Sequence, residues 1–259
     1  MAPYFPPKNL VKHYREPFLG GGSVALWMTQ NYDLESVWVN DLYWGLYNFW
    51  IQLRDNGDEL SDRLYKLKTD NNDVDKARVL FVESNHRMED ESLPLLDRAV
   101  AFWTVNKCSF SGLMNINSFS AGPSNKNFTL TGIQDLKEYS KMIQNWHITN
   151  LSYDELLFTT ALDDDLFIYL DPPYEISSNL YGKKGAMHKG FDHDLFAKHC
   201  NDVAFGQMAI SYNADQSVKQ RFPKWNQIEF PLTYTMRSNS ANYRNNQPQR
   251  LELLLTNYD

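Results

Sequence analysis

Apolar residues along this chain recur in two rhythms. Short runs with β-branched and aromatic residues read as strands, and stretches with apolar residues every three or four positions read as helices. After a proline-rich, irregular opening (Pro3, Pro6, Pro7 and Pro17) the first cycle begins. It predicts a strand over residues 14–18, a glycine turn, a helix over 23–32, a strand over 36–41 and an aromatic-rich helix over 41–55. Three amphipathic helices are predicted next, over 58–70, 74–88 and 93–107. A Ser-, Asn- and Gly-rich loop over 108–132 and a helix over 133–146 follow. The strand–helix alternation then resumes, with strands over 147–152, 166–171 and 207–213, helices over 193–204 and 217–222, and two closing strands over 226–236 and 250–258. Strands alternating with helices imply an α/β fold, a doubly wound and mostly parallel sheet. The expected organisation is a first part of the main domain over 1–54, a helical insert over 55–145 and a second part over 146–259.

Composition narrows this further. The chain has 259 residues, 42% of them hydrophobic, and a mean hydropathy of −0.53. It shows no transmembrane-length apolar run and no signal segment, so a cytoplasmic protein is expected. Cys108 and Cys200 lack the spacing of a zinc site or disulfide framework. The net charge of −7 argues against a broadly basic nucleic-acid coat and leaves room for a local basic groove.

Two stretches carry candidate chemistry. In EPFLGGGSVAL (16–26) a strand runs into glycines and then a helix. There the backbone can approach a ligand closely, and the helix N-terminus offers free N–H groups. Asp41, nineteen positions after Gly22, ends the next strand, where an acid suits ribose hydroxyls. The plain alternative is a tight turn with a helix cap. The second stretch is Asp171-Pro172-Pro173-Tyr174, which closes the apolar run LFIYL. Proline fixes φ and has no N–H to donate, so the turn is stiff and its carbonyls are free acceptors. A carboxylate, a carbonyl and an aromatic plate together suit a planar group bearing –NH₂. The alternative is a strand terminator with a packed tyrosine. His188, His193 and His199 sit in a loop and an amphipathic helix, and no metal site is expected from them.

DPPY, preceded by FLGGGS and the strand-ending ND, resembles the Dam-like, D12-class DNA adenine N6-methyltransferases. MAISYN, RLELLLTNY and NKCSFSGL resemble later segments of that family, so the likeness spans roughly residues 14–259. It implies a Rossmann-like methyltransferase fold with an inserted target-recognition subdomain, S-adenosyl-L-methionine as cofactor, and double-stranded DNA as partner. Phe18, Gly20, Gly21, Gly22 and Ser23 would wrap the methionine part of the cofactor, and Asp41 its ribose. Tyr153 and Asp154, in LSYDELL, would lie near its adenine. Asp171 and the Pro172 carbonyl would accept hydrogen bonds from the target amino group, with Asp171 also facing the cofactor. Pro173 would complete the turn, and Tyr174 would stack on a flipped target base. Lys107, Asn117, Lys126, Lys183, Lys184, Arg237 and Arg244, together with Lys189 and Arg250, lie in loops flanking this site as candidate DNA contacts.

The likeness is incomplete in two places. No lysine-bearing YPGGK-like stretch precedes the glycine turn, since Lys8 lies in different surroundings, so the chain is expected to begin inside the family pattern. The middle loop lacks the pattern of GATC-reading relatives, so GATC is not the expected site. Three other readings stay open: the same chemistry on cytosine N4, the same chemistry on RNA, and a non-catalytic DNA-binding relative. A monomer within a restriction–modification context is the default.

Overall fold

The strand LFIYL lies at the centre of the molecule, and all five of its residues are buried. In the computed structural model, which describes residues 1–109, 118–159, 165–174, 190–203, 205–232 and 250–259, this is β4 (Leu166–Leu170). Successive side chains of a strand point to opposite faces, and β4 feeds two apolar cores in this way. Phe167 and Tyr169 join one core. Leu166, Ile168 and Leu170 join the other. A strand covered on both faces reads as a continuous apolar run, as a parallel sheet requires.

The other strands are β1 (His13–Glu16), β2 (Ser36–Asn40), β3 (Trp146–Thr149), β5 (Gln207–Asn213), β6 (Asn226–Leu232) and β7 (Arg250–Thr256). They form one seven-stranded sheet in the order β3-β2-β1-β4-β5-β7-β6. Neighbours from β3 to β5 pair in parallel, and β7 runs antiparallel to both β5 and β6. The doubly wound, mostly parallel sheet predicted from the sequence is therefore present. Strand order reverses between β1 and β4. In open α/β sheets the crevice outside the carboxyl ends at such a reversal is where ligands bind.

Helices cover both faces. On one lie α1 (Ser23–Asn31), α2 (Trp44–Asp70) and α6 (Leu130–Met142). On the other lie α7 (Tyr153–Phe158), α8 (His193–Asp202) and α9 (Gln216–Arg221). Between β2 and β3, α4 (Leu95–Cys108) packs on α2, and α3 (Val74–Arg87) and α5 (Ala121–Lys126) pack on α4 and on each other. Their core residues Phe81, Val100 and Trp103 belong to the same apolar cluster as the sheet face. Among the described residues, no helix is long and apolar enough to cross a membrane.

Local chemistry accounts for the departures from the predicted boundaries. The expected helices over 41–55 and 58–70 are two runs of α2 that meet at Asn56, whose φ of −135° and ψ of 32° break the helical geometry. α6 starts earlier than expected because the Thr129 hydroxyl accepts from Gly132 N at 3.1 Å, capping the helix there. The polar stretch before it is not all loop. α5 forms within it, tied to α2 by Lys68 Nζ donating to the Ser124 carbonyl at 3.2 Å. α7 is a helix that the apolar periodicity does not predict. The buried Arg15 guanidinium holds its carboxyl end by donating to the carbonyls of Leu156 (2.8 Å) and Thr159 (2.5 Å).

Candidate active site

The glycine turn leaves β1 at its carboxyl end, where Leu19 N donates to the Asn40 carbonyl at 2.8 Å. Gly20 and Gly22 adopt φ of +50° and +66°, a region that residues with a Cβ avoid. Gly22 also has no room for one: a Cβ there would lie 2.5 Å from the Trp50 ring. That indole fills the space beneath the turn and donates from Nε1 to the Gly20 carbonyl at 3.1 Å. Above the turn, positions 20 and 21 face open space. The sequence thus produces a backbone cradle with an aromatic floor and an open top, leading into the N-terminus of α1, where Ser23 is exposed.

Asp41 closes the cradle. One carboxylate oxygen accepts from Gly20 N and the other from Tyr43 N, both at 2.9 Å. Burial raises its pKa, and the two N–H donors oppose that rise. The preceding Asn40 is fully buried and uses its whole amide. It donates to the carbonyls of Pro17 (3.1 Å) and Leu151 (3.0 Å), and accepts from Thr149 Oγ1 (2.9 Å) and Leu151 N (2.8 Å). One side chain therefore ties together the exits of β1, β2 and β3. Phe18 stacks on Tyr153 with ring centroids 5.5 Å apart and an interplanar angle of 24°. Phe191 and Phe196 flank the pair, and the Tyr153 hydroxyl meets His199 Nδ1 at 3.0 Å. Asp154 lies in the first turn of α7, partly exposed.

Across the switch point, Asp171 leaves β4. It is open to solvent on one side and crowded by protein on the others, and burial lifts its pKa to about 6. Its Oδ1 accepts from Ser211 Oγ at 2.6 Å, and Ser211 accepts from the Tyr169 hydroxyl at 3.0 Å. Pro172 is buried, and Pro173 and Tyr174 are half-buried. The Tyr174 ring stacks on Tyr212 at 5.9 Å and 27°, and its hydroxyl donates to Glu252 Oε2 at 2.9 Å. Between the two halves lies Glu16, 2% exposed. It accepts from the Tyr14 hydroxyl at 2.5 Å and from Ala25 N. Burial pushes its pKa well above the usual carboxylate range, the Tyr14 hydrogen bond opposes this, and the Asp171 charge adds to it.

The predicted Phe18, Gly20, Gly21, Gly22, Ser23, Asp41, Asp171, Pro172, Pro173 and Tyr174 all follow the carboxyl ends of β1, β2 and β4, strands adjacent in the sheet. Tyr153 joins them through Phe18. Of the candidate DNA contacts, Lys126 is exposed at the end of α5. The Lys107 ammonium lies 5.5 Å from the Trp103 ring centroid, and burial lowers its pKa. Asn117, Lys183, Lys184, Lys189, Arg237 and Arg244, the side chain of Arg250, and His188 lie outside the described residues. His193 Nδ1 is bonded to the Tyr212 hydroxyl. Sequence reasoning gives no role to Glu16, Asn40, Ser211, Tyr212 or Glu252, although each lies in a quoted stretch. Their one shared signal is a polar residue set into an apolar strand near its carboxyl end or, for β7, near its start.

Two curated proteins resemble the chain. The Type II methyltransferase M.MjaIII of Methanocaldococcus jannaschii is 28% identical over 183 residues, covering 65% of this chain and 62% of that protein. The Type II methyltransferase M1.LlaDCHI of Lactococcus lactis subsp. cremoris is 27% identical over 188 residues, covering 70% of this chain and 63% of that protein. The chain therefore spans less than two thirds of the length of either. The family described as D12 class N6 adenine-specific DNA methyltransferase matches residues 3–236. With the cradle, Asp41 and the DPPY turn converging on one switch point, and with that match running across nearly the whole sequence, the chain belongs to the D12 class of N6 adenine-specific DNA methyltransferases.

Proposed function

We propose that this protein transfers a methyl group from S-adenosyl-L-methionine to the N6 amino group of an adenine flipped out of double-stranded DNA. The observation that carries the reading is the meeting of the glycine cradle and the DPPY turn at adjacent strand ends. The cradle fits the cofactor: open space over Gly20 and Gly21 for a chain, the Asp41 carboxylate for hydroxyls, and the Phe18–Tyr153 pair for a planar ring. When bound, the cofactor supplies a methyl already activated on a sulfonium.

The residues of the chain do the rest. The adenine N6 lone pair is delocalised into the ring and is a poor nucleophile. Asp171 and the Pro172 carbonyl accept hydrogen bonds from its two protons and return electron density to the nitrogen. They also select an amino group over a carbonyl oxygen. Positioning and fixed electrostatics supply most of the acceleration. Extruding the base costs on the order of a few kcal/mol, and stacking on Tyr174 offsets about 1–3 kcal/mol of that. The helical block between β2 and β3, with Lys107 and Lys126, would read and hold the duplex, in the cytoplasm where the DNA lies.

The test is methyl transfer to unmethylated genomic DNA, followed by digestion to nucleosides and mass spectrometry, with cofactor omitted as the blank. N6-methyladenosine as its deoxynucleoside, formed only with cofactor, is the expected product. N4-methyldeoxycytidine would keep the chemistry and change the base. Absence of any methylated base would remove the reading.

A further inference from the structure

We infer that Glu252 is a positioning residue of this site: it anchors the Tyr174 hydroxyl and so fixes the ring plane on which the target base stacks. The inference rests on the reading proposed above. Glu252 lies on β7 opposite Asn213 at the carboxyl end of β5, one pair beyond Tyr212. Tyr174 reaches over this edge of the sheet. Its ring rests on Tyr212, which is 1% exposed, and its far end donates to Glu252 at 2.9 Å. Stacking alone lets a ring slide and rotate in its own plane. A hydrogen bond at the para position adds a second fixed point, and the ring then has one orientation.

The placement of Glu252 is hard to explain by packing. The residues after it, Leu253, Leu254 and Leu255, are fully buried and hold β7 in the sheet. Glu252 is itself 6% exposed, and burying a carboxylate is unfavourable unless it is hydrogen-bonded. It also lies near Asp171, with which it interacts unfavourably. An acid set against an acid within an apolar strand is a local conflict of the kind that marks functional positions. The hydrogen bond from Tyr174 gives it a purpose there. Tyr174 remains half-exposed, so the anchored ring keeps surface for a base. Misplacing a reacting group by about 1 Å costs as much as ~100-fold, which sets the scale of the expected effect.

The experiment is a double-mutant cycle read in kcat/KM for unmethylated genomic DNA and in the Kd for S-adenosyl-L-methionine. Glu252→Ala is expected to lower kcat/KM for DNA about 10- to 100-fold with cofactor Kd unchanged. Tyr174→Phe, which removes the hydroxyl and keeps the ring, is expected to lose at least as much, since that hydroxyl also bonds Asp171. Adding Glu252→Ala to Tyr174→Phe should cost little more, because the bond is already gone. Glu252→Gln, whose amide oxygen still accepts, should retain most of the activity. Equal losses from Glu252→Ala in both backgrounds would overturn the anchor and leave the function standing. If Glu252→Ala does not fold, wild-type turnover by the near-isosteric Tyr174→Phe would overturn it equally well. No methylated base from the wild-type protein would instead overturn the proposed function.

Discussion

The two sides of the crevice hold their acids in different ways. On the β1–β2 side, Asp41 is gripped by the backbone N–H groups of Gly20 and Tyr43, and Asn40 binds mostly backbone atoms. On the β4–β5 side, Asp171 is held by the Ser211 hydroxyl, which is held in turn by Tyr169, while Tyr174 is held by Glu252. The first side is built from main-chain geometry and the second from a relay of side chains. Burial raises both aspartates. The first side should therefore fail by losing its shape, and the second by losing its electrostatics while the fold remains.

Removing the acid of the second side should cost activity most and stability least. Asp171→Ala removes a carboxylate that accepts from Ser211 and contributes nothing to either apolar core. Methyl transfer should fall by at least about 10²–10³-fold, the scale of deleting one preorganised electrostatic partner. The melting temperature should stay close to wild type, and cofactor binding should weaken far less than transfer falls. Residual turnover within tenfold of wild type would remove Asp171 from the chemistry. A large drop in melting temperature would show that the second side is also structural, and the contrast would collapse.

Gly22→Ala probes the other side. Its φ of +66° costs an alanine about 1–2 kcal/mol. The Trp50 ring, 2.5 Å from the new Cβ, has to move, at a further ~1–3 kcal/mol typical of overpacking. Chemical denaturation should show this loss, with weaker cofactor binding alongside. Gly21→Ala is the internal control, because its Cβ would meet nothing within 4 Å and its φ is not positive. Equal stability losses at 21 and 22 would mean that the turn is not held by Trp50.

This pair also shows what could be read from the sequence. LFIYL announces a strand buried on both faces, and the glycine turn, Asp41 and DPPY are each contiguous in sequence, so their place at strand ends follows from the pattern. The supports were not legible in the same way. Trp50 reaches Gly22 from α2, and Glu252 reaches Tyr174 across 78 positions. Ser211 is one polar residue in an apolar strand. Its bond to Asp171 depends on β4 and β5 being neighbours, which periodicity does not give. Asn56 shows the converse: local polarity split α2 correctly into two runs, because a break in helical geometry is a local event.

A pH profile separates the neighbours of Asp171 from one another. Asp171 is lifted to about 6 by burial, lowered by the Ser211 and Tyr174 hydrogen bonds, and raised by the Glu252 charge. Glu16 and Tyr169 also interact with it. To accept strongly from an amino group Asp171 has to be ionised, so transfer should decline as pH falls through about 6. Ser211→Ala removes a bond that favours the charged form, so the half-point of that acid limb should move to higher pH. The variant should then lose several-fold more activity near pH 6 than near pH 8. Glu252→Gln removes a negative neighbour, and its half-point should move to lower pH. Such opposite shifts require the titrating group to lie between a donor on one strand and a charge on another, as Asp171 does. Shifts in the same direction, or none, would assign the limb to a different acid. Glu16 is the first to test: its Tyr14 and Ala25 partners survive both substitutions.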